Sequence, residues 1–380
     1  MAQVLTETQL ALKLAVEAET DGNQTIIFTE KGQASFMYKL AKFDMSKIDP
    51  SWSGVHPAFI VDGVEKDYIY IGVYSGVFKN GEIVSQPNQK PMTPLSAVDQ
   101  QSYVTACGAG FHVMSYDEWA AVALLCRKNE WFPFGITSWG GYSSFGGETE
   151  KGRYIDPDFG ANNLPPYIYT GSGTVNFRHD LKYTGISDLV GNNHERIVGM
   201  RLVNSELHFI DPNYCKNPVN DLSKNSSLWK AMDATTGALV ERTFTGTIVD
   251  STYTPTTSNS LRFGMTANAT TIGVYVSNAA QAIEVLDYSK INALCVSKLQ
   301  QLGILSTIKY ADTGHYGKYW NDVNIRCNAE TQYIPGIFSC LNMLRGGGVV
   351  GGNVGIDSYN LDYPDDLTDP NVTCRPCYYE

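Results

Sequence analysis

Positive charge is scarce in this chain. Twenty-eight Lys and Arg face 39 Asp and Glu across 380 residues, giving a formal net charge of −11. A general nucleic-acid partner asks for a basic face, so the charge argues against that class of function. No apolar run approaches the ~20 residues a membrane-spanning helix needs, and membrane insertion is not expected. The stretch Met1–Glu7 has no basic segment leading into an apolar core, so no signal peptide is expected. A second Cys-x-x-Cys is also missing. The eight cysteines (Cys107, Cys126, Cys215, Cys295, Cys327, Cys340, Cys374 and Cys377) are spread widely, and only Cys374 and Cys377 have that spacing. One such pair makes a poor zinc set, so unpaired buried thiols are the expectation, with pairing or metal binding at Cys374 and Cys377 left open. Sequons at Asn23, Asn225, Asn268 and Asn371 are read as chance matches without a secretory signal.

What is present is a globular composition, 43% hydrophobic and 18% charged, long enough for two or three domains or one elaborated one. Aromatics reach 12%, with 23 Tyr. Residues 1–35 stand apart as an N-terminal arm for attachment or oligomerisation, or as a hairpin packed on the rest. Thr8–Ala18 reads as a short helix or a strand, Asp21–Asn23 as a turn, and Thr25–Thr29 as a strand. His56–Gly72 reads as two strands around the Asp62–Gly63 turn, with Ile69 and Ile71 on one face and Tyr68 and Tyr70 on the other.

A helix over 93–107, capped by Thr93 or Ser96, precedes a short strand at Phe111–Met114. The next helix opens at Ser115 with Glu118 three residues on, a capping box, and Trp119, Val122, Ala123 and Cys126 should face the core. Asp117 and Glu118 are helix neighbours that do not face each other, so capping is the expected role rather than acid–base catalysis. Residues 129–180 are loop-rich. Gly185–Asn204 is a turn leading into a strand, and nothing beside His194 makes it a catalytic base. Residues 211 to about 285 turn to Thr, Ser and Asn and read as a β-rich insertion with a strand at Thr243–Val249. A helix over 289–303 carries the stripe Ile291, Leu294, Cys295, Leu299 and Leu302. The aromatic run 314–321 either borders a binding surface or packs as an ordinary loop.

Near the end, six glycines fall between Gly346 and Gly355, and a Tyr-, Asp- and Asn-rich stretch follows to Thr373. Composition alone reads this as a solvated loop before a terminal strand. The same mixture of Tyr anchors and adaptable polar side chains is found in binding loops. Asp362, Asp365, Asp366 and Asp369 are an oxygen-rich group for which Ca²⁺ is conceivable, but their spacing follows no calcium loop, so solvated acids are the reading and no cofactor is expected.

Four motifs together carry a resemblance. They are the His56–Gly72 opening, the Phe111–Trp119 strand and helix start, the Gly185–Glu195 turn, and the ending from Arg345-Gly346-Gly347 to Cys374-Arg375-Pro376. They resemble the formylglycine-generating-enzyme-like branch of the C-type lectin fold, over roughly residues 36–210 and 285–380, and in particular its phage tail proteins. In those proteins diversity-generating retroelements often vary the residues between the closing anchors. The resemblance implies an α+β fold with few helices, short strands and many loops over residues 36–380, with a variable-like region at about 345–373. It implies a receptor-binding adhesin of the virion, a homo-oligomer such as a trimer, contacting other tail proteins and a protein or glycan receptor on the host cell. Asn353, Asp357, Tyr359, Asn360, Asp362, Tyr363, Asp365, Asp366, Thr368, Asp369 and Asn371 would form the presented surface. The branch also contains oxidases with paired reactive thiols. Neither Cys327 with Cys340 nor Cys374 with Cys377 has the flanking His or basic cluster that activates a thiol, so a non-enzymatic binder is the expectation.

Overall fold

The computed structural model describes residues 4–91, 94–136, 150–155, 167–203, 206–241, 260–265, 272–276, 293–304, 325–326, 340–346, 356, 359–364 and 368–380. In chain order the first half comprises α1 (Glu7–Glu19), β1 (Gln24–Phe28), β2 (Ala34–Ala41), β3 (Ile60–Val61), β4 (Val64–Glu65), β5 (Tyr68–Gly72), β6 (Gly76–Lys79), β7 (Glu82–Ser85), α2 (Ala97–Thr105), β8 (Phe111–Val113) and α3 (Tyr116–Lys128). The second half comprises β9 (His194–Val203), β10 (Glu206–Ile210), α4 (Pro212–Cys215), β11 (Trp229–Met232), β12 (Leu239–Glu241), β13 (Leu261–Met265), β14 (Ile272–Val276), α5 (Ala293–Gln301), β15 (Ile325–Arg326), β16 (Cys340–Arg345), β17 (Tyr359–Pro364), β18 (Val372–Cys374) and β19 (Pro376–Tyr378). The fold is mixed α+β with few helices and short strands. None of the described helices is long and apolar enough to cross a membrane.

Two sheets organise the chain. The smaller runs β1-β2-β5-β19-β8, every neighbour antiparallel. The larger follows β12-β11-β10-β9-β16-β17-β15, with β13 on β10, β14 on β13 and β18 on β9. The last strands are shared out. β18 lies parallel to β9 in the large sheet, and β19 slots between β5 and β8 in the small one. Residues 372–378 therefore join the two sheets.

The central helix α3 begins as its capping box dictates. The Ser115 hydroxyl and the Glu118 carboxylate exchange hydrogen bonds with each other's backbone. Its burial departs from the one-sided stripe expected: apart from Leu125 and Lys128, every residue of α3 is buried. A helix packed on all sides is a core element, and here its buried polar groups need internal partners. Glu118 is the cap. Asp117 is not; its Oδ2 lies 2.6 Å from Lys216 Nζ, with both side chains fully buried. Burial alone would raise the Asp117 carboxyl, but Lys216 outweighs it and holds the carboxyl below the usual range.

Thr8–Ala18 is helical, and β1 pairs with β2 along its whole length, so the arm joins the small sheet rather than standing apart. The Asp62–Gly63 turn closes a hairpin of only β3 and β4, with φ of 48° and 76°, the mirror-image turn that suits a hairpin's twist. β5 leaves that hairpin for the small sheet, with Ile69 and Ile71 buried and Tyr68 exposed, but Tyr70, expected on the face of Tyr68, is buried too. Ser96 caps α2. In the expected insertion, β11 to β14 extend the large sheet beyond β10, while Thr243–Val249 lies outside the described residues. In α5, Cys295 and Leu299 are buried as expected, as is Leu302 beyond its end, but Leu294 is 68% exposed; Ser289 and Ile291 are outside the described residues.

Candidate ligand-binding surface and its supports

The stretch that carries the candidate residues is fastened to the core at three described places. At the first, Arg345 is fully buried and its Nη2 donates to Gly303 O at 2.8 Å. Gly346 follows with φ 78°, its carbonyl accepting from Gly191 N at 2.8 Å. A Cβ at Gly346 would sit 2.4 Å from Leu189 O, so the close approach requires glycine. At the second, Trp119 Nε1 donates to Ile356 O at 2.8 Å, both residues buried. At the third, Asn371 O accepts from His194 N at 2.8 Å, and β18 then runs beside His194–Arg196 of β9.

Arg375 locks the third place. Its Nε donates to Glu195 Oε2 at 2.8 Å, and its Nη2 bonds the other carboxylate oxygen. Its Nη1 donates to Gly72 O at 2.8 Å and Nη2 also to Ser187 O at 2.9 Å. One guanidinium thus ties the chain's end to β9, β5 and the 185–195 turn, in the forked geometry that Lys cannot reproduce. Burial pushes the Glu195 carboxyl up, and Arg375 opposes that push. The turn itself is a hub. Asp188 Oδ2 accepts from Gly171 N at 2.7 Å, and Asn192 exchanges two hydrogen bonds with the Ile168 backbone. Both residues take left-handed backbone, φ 58° and 63°, which Asp and Asn tolerate better than most residues.

The eleven candidate residues divide as follows. Tyr359, Asn360, Asp362 and Tyr363 lie on β17, which pairs antiparallel with β16 and parallel with β15. The expected loop is therefore strand at these positions. Strand β17 carries one extra residue against β16, because the register moves from Asn342↔Tyr363 to Leu344↔Asn360. Thr368 is exposed. Asp369 and Asn371 are half-buried, and Asp369 Oδ1 accepts from Asn371 N at 2.7 Å, so this acid shapes the turn into β18. Asn353, Asp357, Asp365 and Asp366 lie outside the described residues, as do Cys327 and the aromatic run 314–321.

Among the described residues, one group of His, Cys, Asp and Glu side chains comes together at metal-ligand distances: His112, Glu118 and Cys377. They meet because Cys377 lies opposite His112 across the β19–β8 ladder. His112 Nδ1 donates to Gly110 O at 3.0 Å, and Nε2 lies 2.9 Å from Glu118 Oε1. Glu118 Oε2 accepts from the Ser115 backbone and hydroxyl. The His112–Glu118 contact ties β8 to α3. Cys374 and Cys377 do not pair: Cys374 packs with Ile83, Val104 and Cys107, while Cys377 belongs to the main core around α3. Burial pushes the Cys107 and Cys295 thiols up to about 12, and those of Cys215, Cys374 and Cys377 well above their usual range. Such thiols are poor nucleophiles. The pattern of the sequence carried no sign of the Asp117–Lys216 pair, since Lys216 sits in a polar stretch. The chain matches no known protein-family model and no curated protein.

Proposed function

We propose that this protein is a non-enzymatic receptor-binding adhesin of a phage tail. It would be built on a formylglycine-generating-enzyme-like C-type lectin scaffold and present residues of about 345–373 to a host cell-surface protein or glycan. The observation that carries this reading is the fastening of that region. Arg345–Gly346, Ile356 and Val372–Arg375 are buried and bonded to the core, and the candidate contact residues fall between these points. A frame fixed on either side of a segment lets the segment's residues change without unfolding the domain. Burial raises the Cys374 and Cys377 thiols, which argues against thiol chemistry at that pair. Helix α1 buries none of its residues and leaves Leu10, Leu12 and Leu14 exposed, which supports the attachment or homo-oligomer role of the arm. The test is flow cytometry of the labelled full chain on a panel of candidate host cells. Saturable binding to some strains and not others is expected; uniform absence of binding across hosts of the parent phage overturns the reading.

A further inference from the structure

The His112–Glu118–Cys377 group gathers donor atoms from three elements. His112 is on β8, Glu118 opens α3, and Cys377 is on the closing strand β19. One ring nitrogen, one carboxylate oxygen and the sulfur all lie within 4.8 Å of one another, and all three residues are buried. Atoms bonded at about 2.0–2.3 Å to one tetrahedral ion stand about 3–4 Å apart, so little adjustment lets the three share one. The atoms turned away from that centre are held as the outer partners of metal ligands are held. His112 Nδ1 donates to Gly110 O at 3.0 Å, and Glu118 Oε2 accepts from the Ser115 backbone and hydroxyl, each at 2.9 Å.

The atoms turned inward lack a donor between them. With its proton on Nδ1, the neutral ring presents a lone pair at Nε2, and Glu118 Oε1, 2.9 Å away, is an acceptor as well. Among the described residues no oxygen accepts from the Cys377 thiol, whereas Ile83 O, His179 O and Asp117 Oδ1 accept from those of Cys107, Cys126 and Cys215. Two facing lone pairs beside a thiol call for a cation. The charges agree. His112 is the one ion-pair partner of the Glu118 carboxylate among the described residues. A divalent cation with one thiolate, one carboxylate and one neutral imidazole sums to zero, the state that burial favours.

We propose that His112 Nε2, Glu118 Oε1 and Cys377 Sγ hold one divalent cation of the zinc type, which clamps the closing strand β19 to β8 and α3. The ion takes the place of the Cys377 thiol proton, which passes to solvent, and leaves the fourth position to a water. Because the group is closed off, the ion enters as the chain folds around it, and its binding is part of folding. The test uses the tag-free full chain, purified without chelator from cells grown with added zinc and, separately, with added cobalt(II). About one zinc per chain is expected by plasma mass spectrometry, and a sulfur-to-cobalt charge-transfer band in the cobalt form. Cys377→Ala, with its fold checked by circular dichroism, should lose the ion and the band. His112→Gln is the second variant and should lose the ion while its amide keeps a hydrogen bond. Cys327→Ser together with Cys340→Ser should keep both ion and band, which separates this group from the other thiols. Should neither site variant fold, the wild type and the double-serine variant still decide. The proposal is overturned if the wild type carries no ion, in which case a second proton bridges His112 and Glu118. It is equally overturned if bound cobalt shows no sulfur band, if the band follows Cys327 and Cys340, or if it survives in folded Cys377→Ala.

Discussion

The β9–β12 ladder of the large sheet and the closure of the small sheet are built on different principles, although β16 and β18, from the chain's end, also join the large sheet at β9. In the large sheet β9, β10, β11 and β12 follow one another as antiparallel neighbours, each paired with the strand before it. In the small sheet β19, from the last residues, lies between β5 and β8, roughly three hundred residues earlier. A ladder of sequential neighbours needs little beyond its own hydrogen bonds. A closing strand from the far end of the chain needs a lock, and the Arg375–Glu195 fork supplies it. That fork also fixes the end of the candidate binding region. Stability and presentation therefore share one contact, whereas β17 itself is added beyond β16, away from the frame's centre.

Breaking the lock should have the largest effect. Arg375→Met leaves Glu195 buried without its partner and should cost about 3–5 kcal/mol, measured by urea unfolding. Arg375→Lys keeps the charge but loses the fork and should still cost about 1.5–3 kcal/mol. The matching change at the large sheet's edge is Lys230→Ala. Its partner Glu241 is 79% exposed, so the loss should stay within about 0–1 kcal/mol. Equal losses from Arg375→Met and Lys230→Ala would erase the contrast between the sheets.

Trp119→Phe comes next. It keeps most of the apolar volume but leaves the buried Ile356 carbonyl without its donor, at about 1–3 kcal/mol. Because Ile356 lies inside the candidate region, this variant should weaken receptor binding more than its loss of stability explains, read as affinity well below the melting temperature.

A graded effect, spread over the acid range, follows from two buried histidines. Burial lowers His56 to about 4; burial, with Arg375 and Arg178, lowers His179 to about 3. The unfolded chain protonates these rings near the usual 6.5, while the folded chain does so only near 4 and 3. Between those values the unfolded state holds more protons. These two rings should therefore add no pH dependence above about pH 7, and stability should fall as pH drops from 6.5 toward 4, by up to about 3 kcal/mol for each ring. His179→Asn should flatten part of that slope. His179 stacks edge-on against Tyr38 of β2, so the experiment also reports on the small sheet.

Local chemistry was readable from the sequence, and distant pairing was not. The Ser115–Glu118 box, the Ser96 cap and the Asp62–Gly63 turn are decided within a few residues, and each stands where its residues put it. The burial of α3 on all sides depends on what surrounds it, which a stripe of Trp119, Val122, Ala123 and Cys126 does not reveal. Asp117 read as a cap because its partner Lys216 is ninety-nine residues away. Tyr359–Tyr363 read as loop because Tyr, Asp and Asn carry no alternation, yet β16 and β15 supply the pairing that makes it strand. Glu195 and Arg375 each stood out as motif residues. That they grip one another follows only from the fold.

In the proposed function the frame holds the segment and the segment binds. Its most direct test is the affinity of the folded full chain for a bound host strain, wild type against a variant with Tyr359, Tyr363, Asp365 and Asp366 all changed to Ala. The account predicts loss of binding with the melting temperature nearly unchanged, since these positions lie between the buried fastenings. A variant that keeps its melting temperature and binds as the wild type does would contradict it.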